Sequence, residues 1–104
     1  MADIPLIIKS LTRITTIKYD GQASSRKTLR QICFERLQGS AKGIAVILTQ
    51  NPNPDSDSRE NIQGLFDSLK KDLKEYSQNS PDAAALLKAF NAASVEWGLF
   101  LNND

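Results

Sequence analysis

The sequence contains no histidine, and Cys33 is the single cysteine among its 104 residues. Histidine is the commonest general base and metal ligand at neutral pH, because its ordinary pKa lies close to physiological pH. A zinc site and a cysteine–histidine nucleophile both need more of these residues than the chain supplies. The composition therefore predicts a protein that is not an enzyme, has no cofactor and binds no metal, and we expect Cys33 to be an inert core thiol.

Two loop motifs that would bind ions or phosphates are also incomplete. The segment DSDSRENIQG begins like a calcium-binding loop, but Arg59 takes the third ligand position and Glu60 stands where glycine is required. The segment GSAKG, residues 39–43, lacks the spacing and the Lys-Ser/Thr pair of a phosphate-binding loop. Neither segment predicts a binding site.

Long hydrophobic runs are missing as well. No apolar stretch approaches the roughly 18 residues that a membrane-spanning helix requires. The first residues, MADIPLIIKSLTR, lack the long apolar region of a secretory signal. A lone cysteine offers no disulfide framework of the kind found in small secreted domains. We therefore expect a cytoplasmic, intracellular protein with no membrane partner.

The charges are distributed unequally along the chain. Residues 1–50 contain eight basic and three acidic residues, a net charge of +5, whereas residues 51–104 contain five basic and nine acidic residues, a net charge of −4. This asymmetry indicates either a basic binding face or two halves that attract each other when folded. We interpret residues 49–58, TQNPNPDSDS, as a surface loop within one domain spanning 1–104.

The acidic half predicts a helical hairpin over residues 57–101. Its first helix, 57–77, is capped by Asp57 or Ser58 and carries apolar residues at spacings of three and four. These are Ile62, Phe66, Leu69, Leu73 and Tyr76. The second helix, 80–101, begins with Ser80, and its apolar stripe is Leu86, Phe90, Ala93, Trp97 and Leu101. Because the connection is short, we expect the two helices to pack antiparallel, to form the stable core and to bury Leu69 and Phe90.

The basic half predicts a helix over residues 24–38. Ser24 or Ser25 would cap its start, and Gly39 would end it in the left-handed conformation. Its apolar side would carry Leu29, Ile32, Cys33 and Leu37. Its opposite, solvent-facing side would carry Arg26, Lys27, Arg30 and Gln31.

Two further segments predict strands. Thr15, Ile17 and Tyr19 alternate before an Asp-Gly turn, and residues 43–50, GIAVILTQ, form a short apolar run. The intervening helix would then be a right-handed crossover between parallel strands. We therefore predict a helix-rich α+β fold that combines a small two-stranded β element with the C-terminal hairpin. The alternative is an all-α bundle in which 43–50 is a short buried helix.

The first functional hypothesis is a small non-catalytic protein-interaction module, an accessory or regulatory subunit. It would act through the helix 80–101, which carries only Asp82, Lys88 and Glu96 as charged residues. A helix so poor in charge is contacted on more than one side, by its own domain, by a protein partner or by a second copy of the chain. The candidate binding residues are Lys88, Ala89, Ala92, Trp97 and Phe100. The alternative reading of the aromatic residues is that they fill the core.

The second hypothesis is nucleic-acid binding by the basic half. The candidate phosphate contacts are Lys9, Arg13, Lys18, Arg26, Lys27 and Arg30. The sequence pI of about 7.8 is lower than that of a dedicated nucleic-acid-binding domain. Tyr19 is the one aromatic residue interleaved with these bases, which gives base stacking little support. This hypothesis therefore ranks second.

Overall fold

A computed structural model describes residues 2–19, 28–80 and 83–102, and helices account for 84% of the described residues. The five helices described are α1 (Ile4–Thr16), α2 (Leu29–Gln50), α3 (Ser56–Asn79), α4 (Ala84–Asn91) and α5 (Ser94–Asn102). No strand occurs in these parts of the chain. The predicted α+β fold is therefore wrong, and the all-α bundle fits the structure.

Neither predicted strand is present: the run at 43–50 is helical, and in the first segment Thr15 is helical whereas Ile17 and Tyr19 follow the end of α1 in irregular structure. Thr15 lies in the last turn of α1, and residues 43–50 form the second half of α2. The hydroxyls of Thr15 and Thr16 donate to backbone carbonyl groups one turn earlier, which satisfies them inside the helix. A short apolar run has no distinctive period, so its neighbours decide between strand and helix. Here Ile44 and Leu48 are buried at the spacing of one helix side.

α2 begins at Leu29, inside the range predicted for the helix at 24–38, and continues past the predicted end to Gln50. Thr28 is its N-cap and accepts a hydrogen bond from the backbone N–H of Gln31, while Ser24 and Ser25 lie outside the described residues. The helix continues through Gly39 with an ordinary right-handed backbone, so the predicted C-terminal end is wrong. The buried side is formed by Cys33, Phe34, Leu37, Ala41, Ile44 and Leu48. The predicted apolar side is therefore only half correct, because Leu29 and Ile32 are exposed.

α3 follows its predicted pattern closely. The predicted stripe of Ile62, Phe66, Leu69, Leu73 and Tyr76 is buried. The helix begins at Ser56, because Asp55 is the N-cap and accepts a hydrogen bond of 2.8 Å from Ser58 N–H. The predicted caps Asp57 and Ser58 are therefore wrong. The connection to α2 is also shorter than predicted, since only residues 51–55 lie between the two helices.

α2 and α3 form an antiparallel pair. Cys33 near the start of α2 contacts Asp72 of α3, whereas Gly43 further along α2 faces Leu65. α1 also runs antiparallel to α2, and Gln38 of α2 donates to the carbonyls of Ile14 and Ile17 at the end of α1. The buried core includes residues from all five helices. The predicted C-terminal hairpin therefore contributes only part of the core.

The predicted helix over 80–101 is divided into α4 and α5 by a break at Ala92 and Ala93. Ala93 N–H bonds to the Phe90 carbonyl instead of the Ala89 carbonyl. The hydroxyl of Ser10 in α1 donates to Ala89 O at 2.6 Å and takes the place of the missing donor. A side chain inserted into the helical hydrogen-bond ladder is a recognised cause of such breaks.

The start predicted for this C-terminal helix differs from the observed one. Ser80 is the C-cap of α3 and is buried, and α4 begins only after Ala83. In the predicted apolar stripe, Leu86, Ala93 and Trp97 are buried, whereas Phe90 and Leu101 are partly buried. Of the two residues predicted to be buried in the hairpin, Leu69 is buried, whereas Phe90 is only partly buried and packs against the core. None of the described helices combines the length and apolar content needed to cross a lipid bilayer.

Candidate functional site

The residues predicted to bind a protein partner lie on two different sides of α4 and α5. Lys88 and Ala92 are exposed, whereas Ala89, Trp97 and Phe100 are buried in the core. Trp97 packs against Phe66 of α3, with a distance of 4.3 Å between ring centroids. The two aromatic residues therefore fill the core, the alternative considered for them from the sequence, and only Lys88 and Ala92 remain on the surface.

The exposed side of these helices contains apolar residues that were not predicted as candidates. Val95 is 70% exposed and Leu99 is 44% exposed. Lys88 and Ala92 are one turn apart at the end of α4, Val95 and Leu99 are one turn apart on α5, and all four are exposed, so they lie on the solvent side of these two helices. We call Lys88, Ala92, Val95 and Leu99 the outer face. Leu87 is also exposed, at 36%, on α4.

The outer face carries a single charge. Lys88 and Glu96 are the charged residues of α4 and α5. The Glu96 carboxylate accepts a hydrogen bond of 3.0 Å from Asp3 N–H, which directs it toward the start of α1. The positive Lys88 at one end is therefore followed by a neutral, apolar surface.

Contacts on the inner side hold this surface in a defined orientation. The Arg59 guanidinium of α3 lies over the Phe100 ring, 4.5 Å from its centroid, and donates to the Phe100 carbonyl at 2.9 Å. Trp97 lies between Phe66 and Phe100, and Ser10 holds the carbonyl of Ala89. Because these contacts come from α1 and α3, the outer face is a preformed surface.

A groove of about 370 Å³ lies between α3 and the C-terminal helices. Its apolar lining includes Phe66, Phe90, Trp97 and Leu101, and Ser94 and Gly98 form part of its α5 side. The indole Nε1 of Trp97 is buried and has no hydrogen-bond partner among the described residues. Buried indole N–H groups usually have a partner, so this donor is a local exception.

The predicted nucleic-acid contacts are also divided. Lys9, Arg13 and Lys18 are exposed on and just after α1, whereas Arg26 and Lys27 lie outside the described residues. The part-buried Arg30 donates from Nε to Ser80 Oγ at 2.6 Å. Its guanidinium also lies over the rings of Tyr19 and Tyr76, at 5.2 and 5.5 Å from their centroids. The prediction that Arg30 faces solvent is therefore wrong, because it links separate segments of the bundle.

Cys33, Asp72 and Glu75 place three potential metal-ligand atoms within 4.8 Å of one another. Arg36 Nη2 lies 3.1 Å from Asp72 Oδ1 and 4.0 Å from Glu75 Oε2, so a guanidinium already offsets part of the negative charge of the two carboxylates. Burial, reinforced by the nearby Asp72 carboxylate, raises the pKa of the Cys33 thiol. A metal would need the thiolate, which this environment disfavours. The cluster is better explained as part of the α2–α3 packing.

The outer face is thus an exposed, largely apolar surface, although its two largest apolar side chains, Val95 and Leu99, lay outside the sequence prediction. Val95 and Leu99 could have been found by extending the helical period of Lys88 and Ala92, but only the inward direction of Trp97 identifies which side faces solvent. No protein-family model, curated protein or solved structure matches this chain.

Proposed function

We propose that this protein is a non-catalytic interaction module, an accessory or regulatory subunit, that binds a protein through the outer face of α4 and α5. The observation that carries this proposal is the exposure of Val95 and Leu99 on a helix side whose single charge is Lys88. Contiguous apolar surface on a small domain marks an interaction site more often than scattered apolar residues do.

The rigidity of the outer face supports the same proposal. Its inner side is held by Ser10, Arg59 and the aromatic cluster around Trp97. A preformed surface loses little conformational entropy when it binds, so more of the favourable burial energy remains as affinity. Full burial of one Val or Leu side chain contributes about 1.5–3 kcal/mol, and these partly exposed side chains would contribute a fraction of that value.

A matched pair of variants tests this proposal. Val95→Lys places a charge in the middle of the outer face, and Val46→Lys makes the same change at an exposed valine of α2. Tagged versions of both variants and of the wild-type chain are used as baits in a lysate of the source organism, and bound proteins are quantified by mass spectrometry. We expect Val95→Lys to lose proteins that the wild type and Val46→Lys retain, at unchanged thermal stability. Equal retention by all three baits would contradict the proposal.

Nucleic-acid binding remains the second candidate function, because Lys9, Arg13 and Lys18 are exposed on and just after α1. Its weakness is that Arg30 is held by Ser80 and two tyrosine rings. The test is fluorescence anisotropy with a labelled mixed-sequence duplex between about 50 and 200 mM salt. If the protein binds nucleic acid, replacing Lys9, Arg13 and Lys18 with Gln would reduce the slope of the logarithm of the binding constant against the logarithm of the salt concentration by up to about 3. Under the first function, the duplex would not bind.

The expected compartment is the cytoplasm. Cys33 is buried, and its thiol donates to the backbone carbonyl of Asp72 at 3.1 Å. A lone, protonated core thiol fits a reducing environment, where disulfides are rare. Localisation of a fluorescent fusion in the source organism tests this expectation.

A further inference from the structure

We propose that the groove between α3 and the C-terminal helices is a binding site for a small carboxylate with an apolar body, such as an aromatic ring on a short chain. The groove shares no lining residue with the outer face, so this site goes beyond the proposed function. Three features of the groove support it: an aromatic wall, open space beside a glycine, and an ammonium group at its edge.

The aromatic wall is built from three helices. Phe66 of α3 stacks on Phe90 of α4, with 5.7 Å between the ring centroids and 21° between the ring planes. Phe66 also packs against Trp97 of α5. Phe90 is only partly buried, although it packs against the core, and it lines the groove. The groove therefore presents aromatic surface to solvent, and covering this surface with an apolar ligand is favourable.

The groove has room for one ring and a short chain. Its volume of about 370 Å³ lies near the lower end of the range for small-molecule sites, about 300–1,000 Å³. A cavity of about 150 Å³ is already large enough for benzene. Gly98 lines the groove, and an added Cβ there would meet no neighbouring side chain within 4 Å. The lack of a side chain at Gly98 therefore leaves this part of the groove open.

The charges at the edge of the groove select the head group of the ligand. Asp67 and Lys70 of α3 both line it. The Asp67 carboxylate accepts a hydrogen bond of 3.0 Å from Gln63 Nε2. The Lys70 ammonium lies 5.5 Å from the centroid of the Phe66 ring, and it forms no ion pair with a described residue. A ligand carboxylate would supply the missing counter-charge, whereas a ligand amine would be repelled by Lys70.

A series of compounds with one apolar body and three head groups tests the ligand class. Phenylbutyrate, phenylbutanol and phenylbutylamine are titrated into the complete chain. Trp97 is the one tryptophan of the sequence, so its indole N–H gives a single resonance that reports on the groove. We expect phenylbutyrate to bind with a Kd of about 1 mM, as its dozen or so non-hydrogen atoms allow. It should bind about two- to fivefold more tightly than phenylbutanol, the gain of one exposed ion pair.

Two matched pairs of variants locate the site. Gly98→Leu fills the groove, whereas Gly64→Leu makes the same change at an exposed glycine of α3 that does not line it. Gly98→Leu should weaken phenylbutyrate binding by about tenfold or more, because the added side chain takes the place of the ligand ring. Gly64→Leu should keep the wild-type Kd. Lys70→Gln should reduce the affinity for phenylbutyrate to that for phenylbutanol, and Lys74→Gln, at an exposed lysine outside the groove, should not.

Several results would overturn the site. These are a wild-type chain that binds none of the three compounds, equal affinity for phenylbutyrate and phenylbutanol, or tighter binding of phenylbutylamine. Unchanged binding in a folded Gly98→Leu chain would do the same. If Gly98→Leu does not fold, Lys70→Gln decides, because Lys70 is exposed and its replacement leaves the core intact. Val95→Lys should bind phenylbutyrate like the wild type, so failure of the outer face as a protein-binding surface and failure of the groove are separate results.

Discussion

Single side chains in this bundle complete the hydrogen bonding of helices other than their own. Gln38 of α2 donates to the carbonyls of Ile14, in the last turn of α1, and Ile17, its C-cap, where helix carbonyls lack the usual partner four residues later. Ser10 of α1 performs the same task for Ala89 at the break between α4 and α5. Because an unpaired buried carbonyl is costly, these contacts help to determine how the helices are arranged.

Ser10→Ala should destabilise the protein by about 1–3 kcal/mol, because the buried carbonyl of Ala89 would lose its donor. The measurement is equilibrium unfolding in urea. Ser68→Ala is the control, since Ser68 is exposed on α3 and should change the free energy of unfolding very little. Equal stability of the two variants would show that the Ala89 carbonyl does not depend on Ser10.

Asp55 should make the stability of α3 depend on pH. The backbone N–H of Ser58 donates to its carboxylate and lowers the pKa of Asp55 below the ordinary value of 3.8. A pKa that is lower in the folded state stabilises above the unfolded pKa, and this contribution is lost as pH falls through the folded pKa. We therefore expect the melting temperature of the wild type to fall relative to that of Asp55→Asn below about pH 4. A constant difference between the two chains would contradict this assignment, because Asn is a comparable cap without a charge.

At the scale of the element, α2 and α3 are long helices that contain glycine. Gly39 and Gly64 are exposed in their interiors, and an added Cβ at either position would have no neighbouring atom within 4 Å. At Gly43, a Cβ would lie 3.4 Å from Leu65 Cδ1, at the contact between the two helices. The glycines therefore differ in what surrounds them, although all three have helical backbones.

Gly39→Ala and Gly64→Ala should each stabilise the protein by about 0.5–1 kcal/mol, because alanine loses less backbone entropy in a helix and meets no steric obstacle. Gly43→Ala is the matched comparison and should gain less, since Leu65 must accommodate the new methyl group. Urea unfolding of the three variants measures the difference. A loss of stability in Gly39→Ala would indicate that the helix ends there, as the sequence pattern predicted.

At the scale of the whole molecule, Arg30 joins segments that are far apart in the chain. It contacts Tyr19 after α1, Tyr76 in α3 and Ser80 at the end of α3. The positive charges of the first half therefore have different roles, since Arg30 serves packing while Lys9 and Arg13 remain exposed. The positive charge of Arg30 therefore stabilises the folded bundle, whereas the positive charges of Lys9 and Arg13 lie on the surface.

Arg30→Gln should destabilise the bundle by about 1–3 kcal/mol, because it removes the bond to Ser80 and both contacts with aromatic rings. Lys9→Gln should leave stability unchanged within about 0.5 kcal/mol, as expected for an exposed charge. Thermal and urea unfolding of the two variants provide the comparison. An Arg30→Gln variant with an unchanged free energy of unfolding would show that Arg30 does not stabilise the bundle and behaves as a solvent-exposed base.

The local pattern of the sequence was sufficient where a long segment has one apolar side. In α3 the regular spacing of Ile62, Leu69 and Leu73 predicted both the helix and its buried side. The low charge of the C-terminal segment likewise directed attention to Lys88 and Ala92, which lie on the outer face. A long helical period is visible in the sequence because every turn repeats the same burial requirement.

Tertiary structure decided the features for which the local pattern was ambiguous. The apolar run at 43–50 became helix because Ile44 and Leu48 are buried on one side of α2, and the C-terminal helix was divided where Ser10 reaches Ala89. Trp97 faces inward because Phe66 of α3 lies beside it, which leaves Val95 exposed. Each of these outcomes depends on contacts between residues of different helices, which are far apart in the sequence. Spacing along the chain determines which residues share a helix side, and only the neighbouring helices determine which side is covered.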